Sequence, residues 1–131
     1  MEYIFLTTEI HTFCIDLLKV ESVIEENSLK KFPMLEKPLI SFYYHNNLIA
    51  PVYDLGMLFD EPISNIKILT ALKNEQKTIL LSGSKIDIIH EKNITFEKCE
   101  KASDFDFIEK NIIAKFNNNM AYILNDNIFN L

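Results

Sequence analysis

Short runs of apolar and aromatic residues, broken every few positions by polar ones, cover most of this chain. Glu2–Thr8 and Thr12–Asp16 read as two strands joined by a turn at Thr8–His11. Leu17, Val20, Val23 and Ile24 fit a short helix, or a helical turn entering a strand. Glu25–Lys37 is polar, contains Pro33 and reads as a surface loop. Pro38–Phe59 is the organising stretch: two apolar arms flank Asn46-Asn47, a pair that tolerates the left-handed backbone of a tight turn. Asp54 is placed to cap a helical turn whose Leu55, Leu58 and Phe59 form one stripe.

Asp60–Asn65 is a connector. Ile66–Leu72 and Thr78–Leu81 pattern as a second hairpin, and Ser82-Gly83-Ser84 as a Gly-centred break. Ile86–Ile89 and Ile94–Phe96 are short β-type runs, and Cys99–Asp106 is loop-like. Phe107–Phe116 and Met120–Leu124 form a last hairpin around Asn117-Asn118-Asn119, followed by a helical turn at Asn125–Leu131. Many short strands with little helix predict an all-β barrel or sandwich. Ala50–Asp54 and Ala121–Asn125 echo each other, each after an Asn-rich turn and before an apolar pair. The echo fits two similar halves, or a coincidence of hairpin patterning.

Length and composition narrow the class. The 131 residues suit one domain, or two very small subdomains, and 48% hydrophobic content supplies a core. Thirteen basic residues against nineteen acidic give a net charge of −6, which disfavours non-specific binding to nucleic acid or anionic membranes. Every basic residue is Lys, so the bidentate recognition that Arg provides is absent. Cys14 and Cys99 are far apart, without CxxC spacing, and read as free thiols of a reducing compartment. No stretch resembles a signal peptide or reaches about 18 apolar residues, so a cytoplasmic protein is expected.

No active site composes itself. His11, His45 and His90 are widely spaced, and none stands at ligand spacing from a Cys or carboxylate. Two glycines cannot build a phosphate cradle. No catalytic residue, cofactor or metal site is therefore expected. Phe42-Tyr43-Tyr44 stands apart: alternation puts Tyr43 on the face opposite Phe42 and Tyr44. That placement suits a protein–protein interface, and equally cross-strand packing within one barrel.

Several motifs together resemble the CheW-like domain of bacterial chemotaxis signalling. Tyr3-Ile4-Phe5, Phe13-Cys14-Ile15-Asp16, Val20 and Val23-Ile24 resemble its first strand pair and the segment after it. Phe32-Pro33 resembles the proline before its central hairpin, and Leu39-Ile40-Ser41-Phe42 resembles its apolar-apolar-Asn-apolar strand. Ile49-Ala50-Pro51-Val52-Tyr53-Asp54-Leu55 resembles its proline-valine-x-aspartate-leucine motif, which makes Pro51, Val52, Asp54 and Leu55 structural positions. Thr78–Ser82 and Tyr122–Phe129 resemble strands of its second half.

The resemblance implies a single domain over 1–131, made of two intertwined five-stranded barrels of the Src-homology-3 type. The hairpin at 38–59 would belong to the first barrel, and the strands from 66 onward mainly to the second. It also implies an adaptor, not an enzyme, coupling the cytoplasmic tips of chemoreceptors to the regulatory domain of the CheA histidine kinase, with no cofactor and no membrane insertion. The family's Asn and Arg positions fall on Ser41 and Tyr43 with a turn two residues longer, or on Tyr44 and Asn46 in an ungapped pairing. Ser41, Tyr43, Tyr44, Asn46 and Asn47 are accordingly the candidate partner-binding residues. The missing Arg leaves room for an alternative, a divergent module with another partner in motility or signalling.

Overall fold

The computed structural model describes residues 1–62 and 65–131; of the expected connector, Ile63 and Ser64 lie outside the described residues. The strands are β1 (Glu2–Thr7), β2 (Thr12–Asp16), β3 (Val20–Glu25), β4 (Leu39–His45), β5 (Leu48–Tyr53), β6 (Ile68–Lys73), β7 (Thr78–Gly83), β8 (Lys85–His90), β9 (Thr95–Lys98), β10 (Ile108–Phe116) and β11 (Asn119–Leu124). The helical pieces among the described residues are single 3-10 turns. One of them, Leu17–Lys19, enters β3, so the turn-into-strand reading of that segment holds.

The strands form two sheets, ordered β8-β1-β2-β11-β10-β9 and β3-β6-β7-β5-β4. The strands after residue 66 divide between them: β6 and β7 join the central hairpin, and β8 to β11 join β1 and β2. In each sheet a hairpin's second strand runs parallel to a strand of an antiparallel pair, β5 beside β7 and β11 beside β2. The sequence echo is realised at its first and last positions. Ala50 faces Tyr43 and Ala121 faces Ala114 across their hairpins, and Asp54 and Asn125 each cap a 3-10 turn, Leu55–Phe59 and Asp126–Asn130.

The expected all-β fold in two parts is present, with open sheets in place of five-stranded barrels. Among the described residues the sheets have six and five strands, and neither hydrogen-bonded ladder closes. In the smaller sheet both edge strands are bulged, β3 between Val20 and Ser22 and β4 between Leu39 and Ser41. No ladder joins these two edges among the described residues, and side chains meet across the gap. There the His45 Nε2 lies 2.7 Å from Glu21 Oε1.

Three buried clusters follow from this curl. Ile40, Ala50, Val52, Leu69, Ala71 and Leu80 fill the inside of the smaller sheet. Phe5, Cys14, Ile89, Ile94, Ala114 and Ala121 fill the inside of the larger. Ile4, Leu6, Phe13, Ile15, Leu72, Ile79 and Leu81 pack between the two, with Leu55, Phe107, Ile108 and the last turn's Ile128 and Phe129. Central strands are thus buried on both faces, which is why β1, β2 and β7 read as apolar runs instead of clean alternations.

The Gly-centred break expected at Ser82-Gly83-Ser84 is present: β7 ends at Gly83, and β8 starts at Lys85 in the other sheet. A Cβ on Gly83 would lie 2.4 Å from Leu6 Cδ1 and 3.1 Å from the Thr7 carbonyl oxygen. Close approach of the two sheets, not backbone freedom, demands glycine there.

Candidate functional site, the outer face of the central hairpin

Asn46 and Asn47 have φ of 49° and 64°, the left-handed pair that a two-residue hairpin turn needs to match strand twist. The register that follows sets Tyr44 opposite Ile49 and Phe42 opposite Pro51. These pairs face outward, while Ala50 and Val52 point into the core. β4 is an edge strand, and β5 meets β7 only at Val52 and Tyr53, so the turn end of the hairpin has no ladder partner beyond its own two strands and is held from behind by side chains of β3. Tyr44 is 68% exposed and Ile49 73%; Leu48, Phe42 and Phe32 are exposed beside them. The Phe32 and Phe42 rings are 5.9 Å apart. A contiguous apolar face of this kind is uncommon on a surface with no partner.

The sequence-derived candidates separate in space. Tyr44 lies on the face, its hydroxyl donating to Asn47 Oδ1 at 3.1 Å. Asn46 donates from Nδ2 to Glu21 Oε1 at 3.0 Å. Tyr43 is half-buried and packs on the inner cluster; burial, then the charge of nearby Glu26, push its hydroxyl pKa up. Ser41 is 1% exposed, and its hydroxyl donates to the Lys30 carbonyl. The bulge breaks alternation here, so Ile40 and Ser41 are both buried, and Ser41 offers no surface to a partner. Sequence reasoning missed Phe32 and Ile49 as surface residues, although alternation from Ala50 and Val52 marks Ile49 as outward.

Behind the turn, Glu21 gathers three groups. His45 and Asn46 bond to its Oε1, and Lys73 lies 3.5 Å from its Oε2. The His45 bond is the main cause holding the Glu21 carboxyl below its ordinary range.

The motif residues sit beneath. Val52 and Leu55 are fully buried, and Asp54 Oδ1 accepts from Gly56 N at 3.0 Å. Burial pushes the Asp54 carboxyl up, Glu61 adds to the rise, and the Gly56 bond and Lys31 oppose it. Pro51 lies where β5 has no partner on its second side, so its missing N–H costs no ladder bond there.

The histidines are less isolated than their spacing suggests. His11 pairs with Glu61, fifty positions away, and His45 with Glu21. His90 Nδ1 accepts from Lys92 N and caps the 3-10 turn Glu91–Asn93. Among the described residues no three His, Cys, Asp or Glu side chains converge as metal ligands. Cys14 and Cys99 are free; burial pushes the Cys14 thiol up to about 12, which makes it unreactive. No helix among the described residues is long and apolar enough to cross a membrane.

No protein-family model and no curated protein matches this sequence. The crystal structure of the scaffolding protein TtCheW from Thermoanaerobacter tengcongensis matches with a TM-score of 0.70, over 95% of this chain and 88% of that one. The fold is CheW-like. At 19% identity the likeness lies in the architecture.

Proposed function

We propose that this chain is a divergent CheW-like adaptor that works by protein–protein contact and couples chemoreceptor tips to the regulatory domain of the CheA kinase in the cytoplasm. The observation that carries the reading is the apolar face of Phe42, Tyr44 and Ile49 on the central hairpin, with Phe32 of the preceding loop beside it, in a CheW-like fold. Aromatic anchors on a rigid strand pair lose little entropy on binding and bury much area. A stable interface needs on the order of 1,000 Å², or less where a repeating array adds avidity. Tyr44, with Asn46 and Asn47 at its rim, supplies the contact; Pro51, Val52, Asp54 and Leu55 hold the hairpin that presents it.

The test is direct binding of the full chain to the regulatory domain of the cognate kinase and to a receptor tip. Saturable binding to both is expected. Binding to neither, by a folded chain, overturns the reading. A second reading keeps the fold and changes the partner. It is favoured by Tyr43, which falls on the family's Arg position in the pairing with the longer turn and leans on the core instead of offering a charge. Binding to the kinase without the receptor would select it.

A further inference from the structure

The turns Thr8–His11 and Asn74–Lys77 occupy the same place in the two halves, joining β1 to β2 and β6 to β7. Each closes with the same backbone bond, Thr8 N–H to the His11 carbonyl at 2.9 Å and Asn74 N–H to the Lys77 carbonyl at 3.1 Å. This closure aims the following amides at one point. In the second turn the acceptor is local: Asn74 Oδ1 takes Gln76 N at 2.9 Å and Lys77 N at 2.8 Å. Position 8 is Thr, which brings a hydroxyl donor where the other turn has an amide oxygen.

The missing acceptor comes from far along the chain. Glu61 Oε1 accepts from Glu9 N at 2.8 Å and Ile10 N at 3.1 Å, and Oε2 from His11 N at 3.0 Å. Thr8 Oγ1 lies 2.9 Å from both oxygens, and His11 Nδ1 meets Oε2. The Glu61 side chain is 2% exposed. Gly56 leaves it room, since a Cβ there would come within 2.7 Å of Oε1. Converging amides bind anions, and here each oxygen has its own backbone donors with the Thr8 hydroxyl shared between them, a match for a two-oxygen acid and not for a spherical ion.

We propose that the Thr8–His11 turn is a carboxylate-binding socket, filled in this state by Glu61 as a tethered ligand and open to small free carboxylates when that side chain is removed. The socket is formed by the turn itself, as its counterpart at Asn74–Lys77 shows, and Glu61 is its occupant. By filling it, the connector after the Leu55–Phe59 turn is fastened to the larger sheet.

The experiment titrates full-length Glu61→Ala with sodium formate, and with sodium chloride at equal ionic strength, following the amide NMR signals of Glu9, Ile10 and His11 and the melting temperature. Formate is expected to shift those amides saturably and to raise Tm by about 3 °C, with no such response to chloride or in the parent protein. An equal response to chloride, or none to formate, overturns the proposal. Thr8→Asn in the Glu61→Ala background supplies the local acceptor that Asn74 supplies, and should raise Tm and abolish the formate response; a persisting response overturns it. Should Glu61→Ala fail to fold in buffer, refolding yield decides: recovery in formate alone supports the socket, and equal yields in the two salts overturn it.

Discussion

Asn47 and Asn118 hold the same position in two hairpins, with φ of 64° and 65°. Each is the second central residue of a two-residue turn, and each lies three positions before the inward-facing alanine, Ala50 or Ala121. A left-handed backbone costs a residue with a Cβ about 1 kcal/mol, less for Asn and nothing for Gly. Asn47→Ala and Asn118→Ala should each lower unfolding free energy by about 1 kcal/mol, with the Gly variants near the parent. Urea denaturation checks this, and equal stability of the Ala and Gly variants would contradict it.

Gly83→Ala forces a methyl against Leu6 and the Thr7 carbonyl. Overpacking of this kind costs about 1–3 kcal/mol. Shortening Leu6 in the double variant Gly83→Ala/Leu6→Val should return part of the loss, because one of the two obstacles is a side chain. A double variant whose loss is the sum of the two singles would show that the contact does not govern the site.

Glu61 and Asp54 give opposite pH signatures. Burial would raise the Glu61 pKa, but the bonds from His11, Thr8 and the turn amides outweigh it and hold the carboxyl below its ordinary value. That group stabilises the fold above its unfolded pKa, and the contribution disappears as pH falls through its lower folded value. Asp54 is raised, so it adds stability as pH falls through its folded value. Glu61→Gln should flatten the acid limb of stability against pH, and Asp54→Asn, which keeps a cap of the kind Asn125 provides, should steepen it. Unchanged limbs in both variants would refute the assignment.

Tyr44→Ala and Ser41→Ala should divide binding from stability. Tyr44 is exposed, so its loss should leave stability within about 0.5 kcal/mol and weaken kinase or receptor binding roughly tenfold or more. Ser41 is buried and bonded to Lys30, so its loss should cost about 1 kcal/mol and leave affinity intact. The reverse pattern would move the interface off the hairpin's outer face.

What could be read from the chain was local. Asn46-Asn47, the arms beside it and the Asp54 cap depend on neighbours within a few residues, and the structure has each where the pattern puts it. The repeat was visible for the same reason, since Ala50 and Ala121 sit at equal distances from their turns. Ser41 was misjudged because one bulge shifts the facing of the residues beside it. The break at Gly83 was legible, but the reason for glycine was not, because the approaching group, Leu6, is remote in sequence. The pairing of Glu61 with His11 has no local signature, for it depends on how two sheets meet.

The parallel pairing of β2 with β11 sets Phe13 beside Tyr122. During synthesis, therefore, the first two strands leave the ribosome long before the neighbour they require. The smaller sheet, complete once β7 has been made, can form while they wait. Assembly of the larger sheet is then a late, slow closure, and a nascent chain stalled between β7 and β10 exposes an apolar ribbon that invites chaperones or aggregation.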